Sequence, residues 1–309
     1  MNPPALPLVS VVVSFLNTEQ FLVETIESVL QQEYPAWELV LIDDGSTDGS
    51  TAISKRYAAQ HPGRIRYYEH AGHQNLGSSA SRNVGVHHSA GELIALLDAD
   101  DVWLPTYLAA QVALLQENKP AAMVLEATLY WYSWASPARP DEIIAVGAPA
   151  GQLYQPPALS ALLYPLGPGA APCTCGLVVT RQAYLAVGGF EASFRALYED
   201  QAFLAKMYLH HAVYVSAACH NKYRQRAGSI MHTIQGEAHY HQVRRQFLEW
   251  LKSYLRATGY VQVGAGQLVS RALRPYQYPR LWRLAAKARA LPGRLRRLPG
   301  RLWQRLAAR

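Results

Sequence analysis

The chain has 309 residues, half of them hydrophobic, which affords one large domain plus appendages, and no run reaches the roughly 18 apolar residues of a membrane span. Three cysteines, Cys173, Cys175 and Cys219, are too few for a disulfide framework, Cys173-Thr174-Cys175 has the wrong spacing for a zinc knuckle, and the N-terminus lacks a basic leader, so a cytoplasmic chain with reduced thiols is expected. The net charge of +7 is uneven: residues 271–309 hold 12 of the 29 basic side chains and no acid, while the rest holds 17 basic against 22 acidic, so no partner can be assigned from the overall charge.

In chain order, Val9 to Phe15 is β-branched and continuous, as a parallel strand buried on both faces reads. Thr18 is placed to cap a helix running to about Gln32, with Phe21, Leu22, Ile26, Val29 and Leu30 on its inner face. Glu38 to Ile42 is a second strand, ending in Asp43-Asp44-Gly45-Ser46, and Thr47 or Ser50 opens a helix to about Gln60. Ile65 to Tyr68 is a third strand, Gly77 to His88 a helix of small residues, and Glu92 to Leu97 a fourth strand. Repeated βα units imply right-handed crossovers and a doubly wound α/β sheet with a crevice at the carboxyl ends of its strands.

After Asp101 the rhythm changes. Pro105 to Glu117 reads as a helix, and Ala122 to Trp134 as one strand. Residues 135–172, rich in Pro and Gly, suit long loops or a lid. Gly176 to Thr180 is a strand, followed by a short helix and Gly188-Gly189-Phe190. Asp200 to His211 is helical, with Phe203, Leu204, Met207 and Tyr208 on one face, and Gln235 to Leu255 is a longer helix.

The apolar run Leu93 to Leu97 leads into Asp98-Ala99-Asp100-Asp101. Carboxylates cost several kcal/mol each to desolvate unless a positive group meets them. A helix N-cap would account for one acid; a hard divalent cation, Mg²⁺ or Mn²⁺, accounts for more. Ser14 to Asn17 ends the first strand, and Asp43-Asp44 the second. One acid there can accept from a nucleobase or ribose, or the segment is an Asx turn opening a helix. Arg82, inside the small-residue helix, meets a phosphate, fixes an acid of the site, or is a surface arginine. Glu199-Asp200 on its own reads as acids complementing a helix dipole.

Val9 to Asn17, Asp43-Asp44-Gly45-Ser46-Thr47-Asp48, Ala80-Ser81-Arg82-Asn83, Leu97-Asp98-Ala99-Asp100-Asp101, Gly188-Gly189-Phe190 and Glu199-Asp200 stand in the order and spacing of family 2 glycosyltransferases, and residues 8–230 resemble that family. The resemblance implies a GT-A fold, a nucleotide-diphosphate sugar donor, a divalent cation and inversion at the anomeric carbon. It implies residues 1–101 as a nucleotide-sugar-binding half and 102–230 as an acceptor half of one domain, 1–230. Residues 231–270 then form a helical extension and 271–309 a basic tail. By the same resemblance Asp44 contacts the nucleobase and Asp98 and Asp100 hold the metal, with Asp100 the more direct ligand; Ser14, Asn17, Arg82 and Asp98 are expected at the donor site. Asp200 is the general base, preceded by Glu199, and Gly189 and Phe190 shape the acceptor side.

One departure concerns Arg226, which stands where the family often has His. A guanidinium stays protonated and cannot ligate metal, so Arg226 is expected to pair with the donor β-phosphate. The alternatives are a nucleotidyltransferase, which would want a basic Gly-rich loop where Asn17-Thr18-Glu19-Gln20 stands, and an inactive nucleotide-binding membrane adaptor. In the tail, Leu281, Leu284, Leu291, Leu295, Leu298, Leu302 and Leu306, with Trp282 and Trp303 among arginines, read as short amphipathic helices suited to an anionic membrane surface. A nucleic-acid arm is the weaker rival.

Overall fold

The computed structural model describes residues 6–195, 197–226, 236–260 and 264–280. The chain divides into two compact units, Met1–Phe247 and Leu248–Arg309.

The first unit begins with strand β1 (Val9–Phe15), helix α1 (Glu19–Leu30), β2 (Trp37–Asp43), α2 (Ser50–Gln60), β3 (Ile65–Glu69), α3 (Ser78–His87) and β4 (Leu93–Leu96). These four strands pair in parallel in the order β3-β2-β1-β4, so Val11 lies beside both Leu39 and Ala95. Every residue of β2 and all but Ser14 of β1 are buried, which is why both are rich in apolar residues on both faces. Side chains alternate across the sheet. Val9, Val11 and Val13 face the core formed with Leu22, Ile26 and Val29 of α1, and Val12 faces a second core with Val86, Ile94 and Leu96. Thr18 precedes α1 as expected, but its hydroxyl is buried without a partner; its backbone N–H donates to Ser50 Oγ at 2.9 Å, so the residue ties α1 to α2 rather than capping.

There follow β5 (Val102–Trp103), α4 (Tyr107–Glu117), β6 (Ala121–Leu125), β7 (Thr128–Trp131), β8 (Glu142–Ile144), β9 (Gln152–Tyr154), α5 (Ala158–Leu162), β10 (Leu177–Thr180), α6 (Arg181–Ala186), α7 (Glu199–His210), β11 (Ala212–Val215) and β12 (Asn221–Arg224). The large sheet continues β4-β10-β6-β11-β9, with β10 antiparallel to both neighbours. A second sheet has the order β5-β12-β7-β8. The fold is thus the expected α/β class, a mixed sheet flanked by helices.

The single strand expected over Ala122 to Trp134 is two strands in two sheets. The break is at Glu126, fully buried, whose carboxylate accepts from Gln111 Nε2, the His220 N–H and Asn221 Nδ2, each at 2.7 Å. Chain direction changes there because the acid must meet those donors. Residues 135–172 are not loop throughout: they carry β8, β9 and α5.

Helix α8 (Gly236–Ala257) crosses the division between the units. In the second unit Leu248, Leu251 and Leu255 are buried at helical spacing, as are Ala265, Val269 and Leu273 of α9 (Ala265–Gln277). Among the described residues no helix is long and apolar enough to cross a membrane. The amphipathic pattern from Leu281 onward lies outside the described residues.

Candidate active site

The carboxyl ends of β1, β2 and β4 share one edge of the sheet. Beyond β1, Asn17 adopts a left-handed backbone (φ 51°). Its N–H donates to Ser46 Oγ at 3.1 Å and its Oδ1 accepts from the Thr47 N–H at 2.7 Å, holding the turn after β2. In that turn Asp43 Oδ1 accepts from the N–H of Ser46, three residues on, at 2.7 Å. Asp44 is 4% exposed, and its carboxylate accepts from the backbone N–H groups of Leu76, at 2.8 Å, and Gly77, at 3.0 Å. Asp44 therefore anchors the entrance to α3 with the oxygens that a nucleobase contact would use. Ser14 is half-buried near the end of β1.

At the end of β4 the acids meet arginines. Arg82, on α3 with a 7% exposed side chain, donates from Nη2 to Asp98 Oδ1 at 2.6 Å and from Nη1 to Glu199 Oε1 at 3.4 Å. Ser78 Oγ donates to the other Glu199 oxygen at 2.6 Å. Burial would lower the Arg82 pKa, but Asp98 and Glu199 outweigh it and hold it above its ordinary value. One guanidinium thus joins the strand that ends in Asp98 to the first turn of α7. Asp200 is the next residue on that turn; burial pushes its carboxyl up, against the Gln201 N–H donating to it at 2.7 Å. The preceding Tyr198 is buried and left-handed (φ 64°), a conformation that costs energy in a non-glycine residue and clusters at functional sites. The spacing of Glu199-Asp200 gave no sign of this; the Tyr198 ring packs on Phe247, ring centroids 4.8 Å apart.

Asp100 is held by Arg226, whose Nε donates to Oδ2 at 2.7 Å. Burial raises the Asp100 pKa, Arg226 opposes the rise and Asp98 adds to it. Asp101 is fully buried; its Oδ1 accepts from the Arg224 N–H at 2.9 Å and its Oδ2 has no partner, so burial, with Asp100 and Asp98 nearby, pushes its pKa well up. Sequence reasoning missed Arg224. Its Nε donates to the Asp100 carbonyl at 2.7 Å and its guanidinium lies 4.4 Å from the Trp131 ring, 4.9 Å from Trp134 and 5.0 Å from Phe21. It clamps the backbone of the acidic turn from inside an aromatic cage. The available signal was a second basic residue two places before Arg226.

Gly189 (φ 62°) lies beyond the end of α6, beside Asn83, whose Oδ1 accepts from the Phe190 N–H and whose Nδ2 donates to the Phe190 carbonyl, both at 2.8 Å. Phe190 is 3% exposed and stacks on Phe203 at 4.6 Å. Phe190 was expected to help shape the acceptor side; its ring is core and backs the Arg82 guanidinium at 5.0 Å.

Two sets of side chains can be weighed as metal ligands. Asp98 and Asp100 each give one carboxylate oxygen to an arginine, and a carboxylate is the hard donor type that Mg²⁺ and Mn²⁺ take. Among the described residues, Asp43, Glu69 and His73 also bring ligand atoms within 4.8 Å of one another and could coordinate a divalent metal. Their atoms already have partners: Tyr67 Oη donates to Asp43 at 3.2 Å and to Glu69 at 2.5 Å, and His73 Nε2 lies 2.7 Å from the Ser46 carbonyl.

A mixed α/β sheet with paired acids at a strand end and a third acid opening a later helix defines a GT-A-like fold. TarS of S. aureus, solved as residues 1–349 with UDP-GlcNAc, shares it, with a TM-score of 0.63 and 20% identity over 88% of this chain and 73% of that one. The glycosyl transferase family 2 model matches residues 10–177, and the chain belongs to that family. It is 42% identical over 113 residues to EpsE of Bacillus subtilis, a protein named for glycosyl transfer, covering 37% of this chain and 40% of EpsE. To TuaG of the same organism, named for glycosyl transfer in teichuronic acid biosynthesis, it is 34% identical over 116 residues, 37% of this chain and 44% of TuaG. The matches span less than half the length of these relatives.

Proposed function

We propose that this protein is an inverting, metal-dependent hexosyltransferase that moves a sugar from a nucleotide-diphosphate sugar, a UDP-sugar, to a hydroxyl of a glycan or glycolipid acceptor. The observation that carries this reading is Arg82 bound at once to Asp98 and Glu199. It brings the acids expected at the donor within one guanidinium's span of the turn that bears Asp200.

Inverting transfer is an in-line displacement at the anomeric carbon. A carboxylate must take the acceptor proton on the face opposite the leaving diphosphate. Asp200 suits that role: burial raises its pKa, which makes its ionised form a stronger base than a solvated aspartate. Asp98 and Asp100 are the residues that would hold Mn²⁺ or Mg²⁺, which when bound would neutralise charge on the diphosphate. Arg82 holds the Asp98 carboxylate and Arg224 the Asp100 backbone in register, and Ser14, Asn17 and Asp44 border and brace the donor crevice. On this reading residues 1–101 bind the donor and 102–230 the acceptor, with Gly189 and Glu199 on the acceptor side. The UDP-sugar in the TarS complex and the naming of TuaG support the donor class and a role in cell-surface polysaccharide synthesis.

The basic tail, 271–309, is proposed to hold the enzyme on the inner face of the plasma membrane. Deleting 281–309 is expected to abolish co-sedimentation with phosphatidylglycerol vesicles while donor hydrolysis persists; unchanged sedimentation would contradict this.

The function itself is tested by incubating the full chain with UDP-sugars, with and without Mn²⁺, and measuring UDP release. Release from one of them, dependent on Mn²⁺, is expected. Absence of release from every UDP-sugar, with no thermal shift on adding UDP, would overturn the proposal.

A further inference from the structure

Arg226 follows β12 and donates from Nε to Asp100 Oδ2 at 2.7 Å, with its side chain 28% exposed against 17% for Asp100. Asp98 is paired in the same way with Arg82 at 2.6 Å. Each carboxylate that would face a divalent cation is thus matched by a guanidinium, and the two charges of each pair cancel. A cation arriving there must share Asp100 with a charge-assisted hydrogen bond.

The two arginines are not equivalent. Arg82 is buried on a core helix, backed by Phe190 and bound to a second acid, Glu199. Removing it from Asp98 would strand buried charge. Arg226 has Asp100 as its acid partner, is four times more exposed, and lies past the end of its strand. The Arg226 end of the pair is partly open to solvent, so releasing it costs less than releasing Arg82. Its guanidinium is 5.3 Å from the Phe21 ring, which leaves the side chain an apolar surface to slide on.

We propose that Arg226 is an internal competitor for the divalent cation: metal binding at Asp98 and Asp100 displaces the Arg226 guanidinium from Asp100, and the released side chain meets the donor diphosphate. The inference rests on the metal reading given above. Competition for one carboxylate is reciprocal, so Arg226 weakens metal binding by the factor by which metal weakens the ion pair. A diphosphate gives the displaced guanidinium a new anionic partner, so donor and metal bind with positive coupling.

The test is Mn²⁺ binding to the full chain without donor, followed by electron paramagnetic resonance of the free ion. Arg226→Gln and Arg226→Ala are expected to bind Mn²⁺ at least about fivefold tighter than the unaltered protein, at the lower end of ordinary coupling between sites. Asp100→Asn is expected to lose binding. Equal or weaker Mn²⁺ binding by both Arg226 variants, with Asp100→Asn still losing it, would overturn the competition and leave the metal reading standing. No Mn²⁺ bound by either the unaltered protein or the Arg226 variants would overturn both. A measurement independent of substitution is the Arg226 Nε–H resonance during Mg²⁺ titration. It is expected to shift as the bond to Asp100 is lost; a resonance that stays in place while Mg²⁺ binds would overturn the proposal.

Discussion

Arg82 Nη2 lies 2.6 Å from Asp98 Oδ1, and the same guanidinium reaches, from its other terminal nitrogen, the acid that opens α7. A planar fork can hold two carboxylates at a set separation; a lysine ammonium on a flexible stem cannot. The pair therefore sets the distance between the end of β4 and the helix that carries Asp200. Arg82→Lys is expected to lower kcat by roughly 100-fold, because misplacement of about 1 Å costs that much, while the KM for donor changes less. Steady-state kinetics on the folded variant check this, and a kcat within twofold of the unaltered enzyme would contradict it.

Gly188 and Gly189 separate conformation from packing. Both have positive φ, but a Cβ on Gly188 meets nothing within 4 Å, whereas one on Gly189 would run into Asn83 Oδ1 and lie 2.8 Å from Tyr184 Cε1. Gly188→Ala is expected to cost about 1 kcal/mol and Gly189→Ala about 3 kcal/mol or more, from strain with displacement of Asn83. Denaturant melts give the difference; equal losses would show that Asn83 moves aside without cost.

Glu126 and His220 make stability depend on pH. Hydrogen bonding to the buried Glu126 carboxylate raises the His220 pKa above its ordinary value of 6.5. Its contribution is therefore fully present below pH 6.5 and is lost as pH rises through the raised value. The melting temperature is expected to fall over that interval, and His220→Gln to flatten the fall. An unchanged slope in the variant would assign the pH dependence elsewhere.

Strands β1, β2 and β4, whose ends bear Asp43, Asp44 and Asp98, were legible because strands buried on both faces are rich in apolar residues, while β3, only partly buried, was legible from its βα rhythm and aromatic residues. Strands β5 and β12 left no such trace. They are two and four residues long, and β12, Asn221-Lys222-Tyr223-Arg224, is polar because two of its side chains serve Glu126 and Asp100. The break at Glu126 is decided by donors that include side chains 15 and 95 residues away, which no local pattern encodes. Arg82 could be read as fixing an acid; which acids it joins depends on the packing of α3 against α7. The burial of Phe190 goes with Asn83 gripping its backbone from α3, a contact its own neighbours in sequence do not encode.

Asp200 as the base, set beside the donor acids by Arg82, is tested most directly by the pH profile of kcat for Asp200→Asn against the unaltered enzyme. Burial raises the Asp200 pKa, so activity is expected to fall as pH drops through a value above the ordinary carboxylate pKa of 3.8, and to be retained above it. In Asp200→Asn the account predicts kcat lowered by roughly 10²–10⁴-fold, loss of that acid limb and undiminished UDP binding. An Asp200→Asn enzyme that keeps its kcat, or keeps the same acid limb, would contradict it.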